Sequence, residues 1–498
     1  MPSAKYLEEE KISSLLWKFS LPAIAGMLAG ACYNVIDSIF VGQGVGMVAL
    51  AAVTIALPIM TFLMAIGMLI GVGSSTLVSI SLGQHKTAQA EQILGNALMM
   101  AVIFIIPAVV IVLHFLDPLL TGLLGATPAV LPSAHAFVSI ILLASIFLHI
   151  GFGLNNVIRA QGSPKTALAT QIFSTVLTII LGYLFIFVFH WGISGAAIAT
   201  AFGQGSSAIW VLAFFVSGKG VLKLRLHNLR PRFSVMKKIA WAGIAPFAMQ
   251  LSMSAVLVVL NWLVLDLGGD IGVASYGIIN RVVMLVVMPV IGLSQGAQPI
   301  IGYNFGAEKP QRVLEAVIQV VKASSIVCVI LFLALELLAG DIVHLFGSNV
   351  EMIAISREGL RIFALMMPFI GLQVVGISYF QAIGKAHYAV VFSLLRQLIV
   401  FVPAAYLLSR VLGLDGVWIA APTADFAAIV ITATCMVIDL RRYLNARGYV
   451  IGPDSHRALF RLFHRPLSNA LPTHGAPVGQ CDDPAGVVGP SARIGYDP

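Results

Sequence analysis

Charged residues are scarce in this sequence of 498 residues. Asp, Glu, Lys and Arg make up 10% of it, hydrophobic residues make up 59%, and the mean hydropathy is +0.97. A soluble globular domain carries about 25% charged residues, which keep its surface wetted. So few charges cannot form such a surface. The composition therefore excludes an ordinary soluble domain and predicts a protein whose solvent is lipid.

Cysteine is also rare, and motifs typical of several enzyme classes are missing. The four cysteines, Cys32, Cys328, Cys435 and Cys481, form no CxxC pair, so neither a disulfide framework nor a zinc site is predicted. There is no HExxH motif and no His and Asp cluster at a spacing suited to catalysis. We therefore predict that the protein is not an enzyme and binds no metal or organic cofactor.

Long apolar runs are the main feature that is present. A bilayer core about 30 Å thick needs roughly 20 apolar residues per helix. Twelve runs reach this length, near residues 14–41, 50–80, 95–115, 132–156, 166–189, 193–217, 239–266, 273–302, 316–339, 353–380, 387–410 and 415–439. The predicted fold class is an all-α polytopic membrane protein with twelve transmembrane helices.

These runs divide the chain into five segments. We predict a cytoplasmic N-terminus over 1–13, a six-helix lobe over 14–217, and a basic cytoplasmic linker over 218–238. A second six-helix lobe follows over 239–440, and a cytoplasmic tail over 441–498. The tail is rich in Pro, Gly and Ala, and we predict that most of it is disordered.

The distribution of Lys and Arg predicts the orientation. Basic residues gather in the even-numbered loops, for example at Lys86, Lys165 and Lys309, and at both ends of the helical region. Cytoplasmic loops of membrane proteins carry such an excess, so both termini are predicted to be cytoplasmic. Arg357, Arg361 and Arg410 are exceptions on the predicted outer side. Because the positive charge lies in loops rather than on a soluble basic face, no nucleic-acid partner is predicted.

The chain repeats itself. Gly83 recurs as Gly306 (306 − 83 = 223) and Gly73 as Gly296 (296 − 73 = 223). Gly162 recurs as Gly384 (384 − 162 = 222). A near-constant offset predicts two copies of one bundle, and six helices per copy means that both insert with the same orientation, as parallel pseudo-symmetric repeats. Duplicated bundles in membranes are characteristic of transporters with a substrate site between the halves.

Asp37 is the sharpest candidate functional residue, because it lies midway along the first predicted helix. A charge at a helix centre costs about 2.5–3.5 kcal/mol on insertion scales, so such residues face a wet cavity or another helix and are functional by default. Burial favours the protonated carboxyl over the carboxylate, which would let Asp37 take up a proton on one side and release it on the other. The alternative is a carboxyl that only fixes helix packing.

Further polar residues lie within the predicted helices. Asp425 on helix 12 has Arg396 on helix 11 as a plausible partner, which favours a structural ion pair over a second coupling site. Amide side chains in hydrocarbon need partners, and as a group they suit a large cleft with scattered polar contacts. The predicted cleft residues are Asn155, Asn156, Gln204, Asn261, Asn280, Gln298, Gln373 and Gln381.

Several stretches, in order and at consistent spacing, resemble the MATE (multidrug and toxic compound extrusion) transporters. They are YNVIDSIFVG at 33–42, GVGSSTLVSISLGQHK at 71–86, NVIRAQGSPKTA at 156–167, GISGAAIAT at 192–200, GLSQGAQPIIGYNFGA at 292–307, YFQAIGK at 379–385, SLLRQ at 393–397 and GVWIAAPTAD at 416–425. The likeness covers about residues 14–440 and is greatest to the bacterial branch typified by staphylococcal multidrug export proteins.

The resemblance implies an antiporter in the bacterial cytoplasmic membrane that expels amphipathic, cationic drugs as protons or sodium ions enter. It also implies that Asp37 is the coupling acid, supported by Thr200 on helix 6. The family's helix-5 Asn and Asp read here as Thr178 and Gly182, so two expected oxygen ligands are lost, which favours protons and leaves sodium open. Asn34 completes the candidate cation-coupling group. We expect a monomer.

A flippase for a lipid-linked or polysaccharide precursor is the alternative, since related flippases share the two-bundle design. Such a protein should hold pyrophosphate with several Arg or Lys in its cleft. The predicted helices offer mainly Arg159, Arg281 and Arg396, which is a thin set for that task.

Overall fold

The computed structural model describes residues 6–344 and 349–447, and these are almost entirely helical. A single helical turn, Tyr6–Glu9, precedes α1 (Ile12–Gly44), α2 (Met47–Gly83) and α3 (Thr87–His114). Then come α4 (Leu131–Ala160), α5 (Pro164–Val188) and α6 (Gly192–Val216). We refer to α1–α6 as the first lobe.

The second lobe follows a linker that contains a 3₁₀ turn, Leu226–Leu229. It comprises α7 (Phe233–Gly269), α8 (Ile271–Gly306), α9 (Pro310–His344), the broken helix α10 (Val350–Ala364 and Met367–Ala382), α11 (Ala386–Leu412) and α12 (Leu414–Asn445). The two parts of α10 meet at an angle of 54°. Gly269, with φ 57° and ψ −156°, separates α7 from α8, because this backbone conformation suits glycine and breaks a helix.

These helices confirm the predicted fold class, although several predicted ends were wrong. Eleven described helices are long and apolar enough to span a membrane, and the bent α10 makes twelve. α3 begins at Thr87 rather than near 95. The polar residues Glu91 and Asn96 fit within the first turns of this helix because backbone amides of the linker donate hydrogen bonds to their side chains. Polar helix ends like this one carry no hydropathy signal.

The linker is shorter than predicted and is fastened to the first lobe. α7 begins at Phe233, so the predicted linker 218–238 ends at Arg232. The Arg232 amide donates to Asn96 Oδ1 at 2.7 Å, and Arg225 Nε lies 3.2 Å from Glu91 Oε2. At the other end of the chain, α12 continues to Asn445, past the predicted end of the lobe at 440. Most of the predicted tail lies outside the described residues.

Each lobe has its own hydrophobic core in the half that carries the odd-numbered loops. In the first lobe this core includes Val41, Ile105 and Phe137. In the second it includes Leu260, Leu335 and Trp418. Two of the three basic exceptions on this side of the second lobe have local partners: Arg361 Nη2 donates to the Glu336 carbonyl at 3.0 Å, and the Arg410 guanidinium lies 5.1 Å from the centre of the Tyr406 ring. The orientation stays a prediction.

Candidate functional site

Asp37 is half-buried on α1. Among the residues that the structure describes, no side chain forms an ion pair or hydrogen bond with its carboxyl group. A carboxyl without a fixed partner in a membrane-spanning helix is free to change its protonation state. This property distinguishes Asp37 from Asp425, the buried acid on α12 of the second lobe.

Tyr33 ties the helix of Asp37 to α6. Its hydroxyl lies 2.8 Å from Thr200 Oγ1, which in turn donates to the Ala196 carbonyl at 3.1 Å. Tyr33 precedes Asp37 by four residues, so the two side chains lie on the same face of α1. Sequence reasoning found Thr200 but missed Tyr33. The four-residue spacing between a tyrosine and an intramembrane acid was the signal that could have found it.

Thr178 lies where α5 meets α6. Its hydroxyl donates to the Ser174 carbonyl at 2.8 Å, and Ser174 Oγ donates to the Gly203 carbonyl at 2.7 Å. A Cβ added to Gly203 would lie only 1.8 Å from Thr178 Oγ1, so glycine is required for this close contact. The Thr178 hydroxyl group thus donates its hydrogen bond within α5.

The remaining predicted coupling positions contribute little polarity. Asn34 is exposed, and its side chain makes no hydrogen bond to another described residue. At Gly182, an added Cβ would meet Phe40 Cδ2 at 3.6 Å and Ala199 Cβ at 4.0 Å. The position at which the resemblance led us to expect a carboxylate therefore has apolar surroundings. Of the four predicted residues, Asp37 shares a face of α1 with Tyr33, which bonds to Thr200. Thr178 lies on the adjoining helix α5.

The eight predicted cleft residues do not form one hydrogen-bonded cluster. Only Gln298 and Gln381 bond to each other, with Gln298 Nε2 2.7 Å from Gln381 Oε1. Asn155 and Asn156 donate to the carbonyls of Ala167 and Phe152, whereas Gln204 Oε1 and both polar atoms of Gln373 are buried without partners in the described chain. Asn261 is half-buried and Asn280 exposed. The grouping into one cleft stays a prediction.

Asp425, on α12 of the second lobe, forms an ion pair with Arg396. Arg396 Nε lies 2.6 Å from Asp425 Oδ1, and the Asp425 side chain is only 7% exposed. Arg396 belongs to a π-helical turn, Leu395–Val400, within α11. Such turns insert one extra residue into a helix and re-aim the following side chains. The contact is the one that sequence reasoning proposed for these two residues.

The repeated glycines form a seam between the lobes with pseudo-twofold symmetry. A Cβ added to Gly83 would lie 2.0 Å from the Tyr303 carbonyl, and one added to Gly306 would lie 2.2 Å from the Ile80 carbonyl. Gly306 is Gly83 plus 223, and Tyr303 is Ile80 plus 223. The glycine of α2 therefore contacts the backbone of α8, and the equivalent glycine of α8 contacts the equivalent backbone position of α2. We call these close backbone contacts the inter-lobe seam.

The inter-lobe seam includes two further glycines, which lie farther along α2 and α8 from the even-numbered loops. A Cβ added to Gly73 would lie 2.2 Å from the Ile239 carbonyl of α7, and one added to Gly296 would lie 2.7 Å from the Ser20 amide of α1. Polar contacts accompany it: Arg159 Nη1 donates to Gln295 Oε1 at 2.9 Å and Ser20 Oγ to the Leu293 carbonyl at 3.3 Å. These contacts lie in the helix halves nearest the even-numbered loops. The lobes are thus tightly joined at that face, which we call the inner face.

Two six-helix lobes that are joined at one face and have separate cores towards the other define the class of two-lobed membrane transporters. The chain belongs to the MatE family: the family model matches residues 22–184 and again 246–407. The two matches begin 224 residues apart (246 − 22), which confirms the duplication seen in the sequence. Membership of a transporter family also confirms that the protein is not an enzyme.

Relatives agree with this assignment. The multidrug export protein MepA of Staphylococcus aureus (strain MSSA476) is 27% identical over 414 residues, which are 83% of this chain and 90% of that protein. MepA of Staphylococcus haemolyticus (strain JCSC1435) is 28% identical over 413 residues, with the same two coverages of 83% and 90%.

Solved structures share the fold. The crystal structure of a MATE in complex with MaL6 superposes with a TM-score of 0.84 at 22% identity, covering 89% of this chain and all of that one (100%). An outward-facing multidrug resistance MATE transporter of the MOP superfamily also gives a TM-score of 0.84 at 22% identity, covering 89% and 99%. The protein is therefore a multi-pass membrane protein with the MATE fold.

Proposed function

We propose that this protein is a secondary active antiporter of a bacterial cytoplasmic membrane that exports amphipathic, cationic compounds in exchange for protons. The observation that carries the proposal is the half-buried Asp37, a carboxyl with no partner among the described side chains in a transporter of the MatE family. The relatives named multidrug export proteins support drugs as the substrate class. We also propose that one chain, with both lobes, is the functional unit.

The proposed cycle alternates access between the two faces. In the structure the seam joins the lobes at the inner face, so a drug would leave towards the other side. Proton binding to Asp37 from the outer side would favour this release by removing the negative charge that attracts a cation. The lobes would then rock, the inner face would open, and Asp37 would deliver its proton to the cytoplasm while a new cation binds. The even-numbered loops, whose basic residues gather at the inner face, would be cytoplasmic.

Protons are the proposed coupling ion because two expected oxygen ligands are missing from helix 5. Thr178 stands where the resemblance led us to expect an amide, and Gly182, where a carboxylate was expected, offers only an apolar contact. A metal cation such as sodium needs several oxygen ligands around it, whereas a proton needs one carboxyl group.

The flippase alternative is weaker in this arrangement. Of the three arginines that could hold pyrophosphate, Arg159 is bonded to Gln295 and Arg396 to Asp425. Arg281 is exposed and makes no such contact with another residue that the structure describes. We therefore propose efflux only.

A transport assay tests this proposal. The wild-type protein should lower drug sensitivity in an efflux-deficient host, and cationic drugs should release protons from everted vesicles in sodium-free buffer. Asp37→Asn should reduce this release to background, whereas Asp266→Asn, which removes an exposed carboxyl at the end of α7, should leave it unchanged. Full exchange by Asp37→Asn would contradict the coupling role. Exchange that requires sodium would contradict the choice of ion.

A further inference from the structure

The first described residues, 6–10, cross the inner face and contact both lobes; we call them the strap. They precede α1 and so belong covalently to the first lobe. The Tyr6 hydroxyl donates to the Gly162 carbonyl in the loop between α4 and α5, and the Tyr6 ring lies 6.4 Å from that of Phe19. Leu7 is fully buried. The strap is therefore packed into the protein rather than lying loose on its surface.

The strap backbone is bound by the second lobe. Arg312, in the first turn of α9, donates from Nη2 to the Leu7 carbonyl at 3.2 Å and to the Glu10 carbonyl at 2.6 Å. Asn304, near the end of α8, also donates to the Leu7 carbonyl, at 3.2 Å. Arg312 Nε donates to Asn304 Oδ1 at 3.0 Å, which orients both side chains towards the strap. Arg312 thus donates to the first and the last carbonyl group of residues 7–10.

Side chains strengthen this attachment. Glu8 Oε1 lies 2.5 Å from Lys309 Nζ, and the Tyr303 hydroxyl is 3.4 Å from Glu8 Oε2. The Arg312 guanidinium adds positive potential around the Glu8 carboxylate. Charge-assisted hydrogen bonds of this kind are stronger than neutral ones. The neighbouring Glu9 is exposed and makes none of these contacts.

We propose that the strap is a latch that holds the inner face closed and must release the loop between α8 and α9 before that face can open. The proposal rests on the alternating-access function proposed above. Gly162 belongs to the first lobe and Lys309 and Arg312 to the second, and the same five residues bind all three. When the lobes separate at this face, the strap can remain with only one of them. Since it continues directly into α1, it leaves Lys309 and Arg312.

The latch and the seam have different roles. The seam is a close backbone contact that closes the face by shape, whereas the strap adds polar bonds at its edge. Loss of the polar bonds should therefore leave the fold intact and increase the population in which the inner face is open. This shift separates a latch from an ordinary structural contact, whose loss would only lower stability.

Distance measurements between spin labels test the shift directly. Labels would be placed at Lys165 and Gln311, exposed residues next to the two loops that the strap joins, in a variant lacking the four native cysteines. In nanodiscs, Glu8→Gln should increase the long-distance population several-fold, and Arg312→Ala should do so further. Glu9→Gln, the same charge change one residue away, should match the wild type. Identical distributions in Glu8→Gln, Arg312→Ala and wild type would overturn the proposal.

Cross-linking tests whether release is needed. A water-soluble carbodiimide activates the Glu8 carboxylate, and the Lys309 amine then forms an amide with it as the carbodiimide leaves as a urea. The locked protein should lose transport and keep only the short label distance, and Glu8→Gln should escape the strap-dependent part of this inhibition. Full transport by a protein with the cross-link verified by mass spectrometry would overturn the latch. The label distances do not depend on the substrate, so failure of the drug-export proposal would leave this test readable.

Discussion

Asp37 in the first lobe and Asp425 in the second are both carboxyl groups within membrane-spanning helices, yet their surroundings differ. Asp425 is almost fully buried and bonded to Arg396. Asp37 is half-buried, and no described side chain pairs with it. Losing either partner of a buried ion pair leaves the other charge uncompensated. An unpaired carboxyl can exchange a proton.

The packing surfaces of the lobes, by contrast, are nearly the same. Gly83 and Gly306 occupy equivalent positions and make equivalent contacts across the seam. Position 260, which is equivalent to Asp37, is the buried core residue Leu260. Position 203, equivalent to Asp425, is the glycine that contacts Thr178. The duplicated frame supplies two lobes of similar packing, and the unduplicated charges make them chemically different.

The largest effect is expected from removing the paired acid. Asp425→Asn should destabilise the protein by about 2–4 kcal/mol, because it leaves Arg396 without its counter-charge; the partial exposure of Arg396 keeps the loss near the lower end of that range. Asp37→Asn should leave the thermal midpoint in nanodiscs unchanged or raise it, since it removes an unpaired charge. Equal destabilisation by the two substitutions would remove the distinction between the acids.

The symmetry of the seam comes next. Gly83→Ala and Gly306→Ala should each cost about 1–3 kcal/mol, because the added Cβ overlaps backbone atoms that cannot move away without parting the helices. Gly277→Ala, on α8 with no atom within 4 Å of the added Cβ, is the control and should be neutral or slightly stabilising. Thermal unfolding measures all three. A large difference between Gly83→Ala and Gly306→Ala would show that only one half of the seam is closely packed in solution.

A smaller effect is expected at the contact between α1 and α6 in the first lobe. Tyr33→Phe removes the hydroxyl that bonds Thr200 and should destabilise the lobe by about 1 kcal/mol. It should also lower the rate of drug-dependent proton release, because α1 and Asp37 lose one positional constraint. Tyr183→Phe is the control, since Tyr183 is 53% exposed and its hydroxyl has no described partner. Matching behaviour of the two variants would argue against a positioning role for Tyr33.

The smallest effect concerns the bond that joins the lobes at the strap. The hydrogen bond from Lys309 holds the pKa of the Glu8 carboxyl below its ordinary value. An acid whose pKa is lowered by folding stabilises the folded form above its ordinary pKa, about 4.3 for Glu, and this contribution is lost as the pH falls through the lowered value. The attachment should therefore be constant near neutral pH and weaken only in acid, by less than about 1 kcal/mol since the pair is partly exposed.

Label distances between positions 165 and 311 measure this effect. The long-distance population should rise on acidification below about pH 4.3 in the wild type. Glu8→Gln should have a raised population at every pH and no such step. The same step in Glu8→Gln would assign it to another group.

Much of the architecture could be predicted from the sequence. The apolar runs indicated all twelve helices, because transfer into lipid depends on each residue's own hydropathy. The wrong boundaries lie where another physical effect decides. Polar residues such as Glu91 are tolerated inside the helix end because the linker bonds to them, and Lys237 lies in α7 because a helix can extend into the polar interface. The broken α10 was missed because its apolar pattern continues across the bend.

The site was only partly predictable. Asp37 and the partners Arg396 and Asp425 could be chosen because charge in an apolar run is conspicuous. Tyr33 could have been chosen only from its four-residue spacing to Asp37. Gln295 and the strap could not be chosen, because glutamine is common in such helices and a short polar N-terminus resembles any solvated end. Their importance lies in the residues they touch, which are 167 positions away for Tyr33 and Thr200 and 136 for Arg159 and Gln295.

The sequence by itself determined the solvent of this protein, its number of helices, its duplication and the presence of one acid in the first helix. These properties follow from composition and order alone, since each residue's preference for lipid or water is local. Only the tertiary structure decided that the repeated glycines face one another across the lobes, that Asp37 has no described partner whereas Asp425 has one, and that residues 6–10 join both lobes. Those properties depend on which distant surfaces meet, and a glycine or a carboxyl does not specify its neighbour until the helices pack.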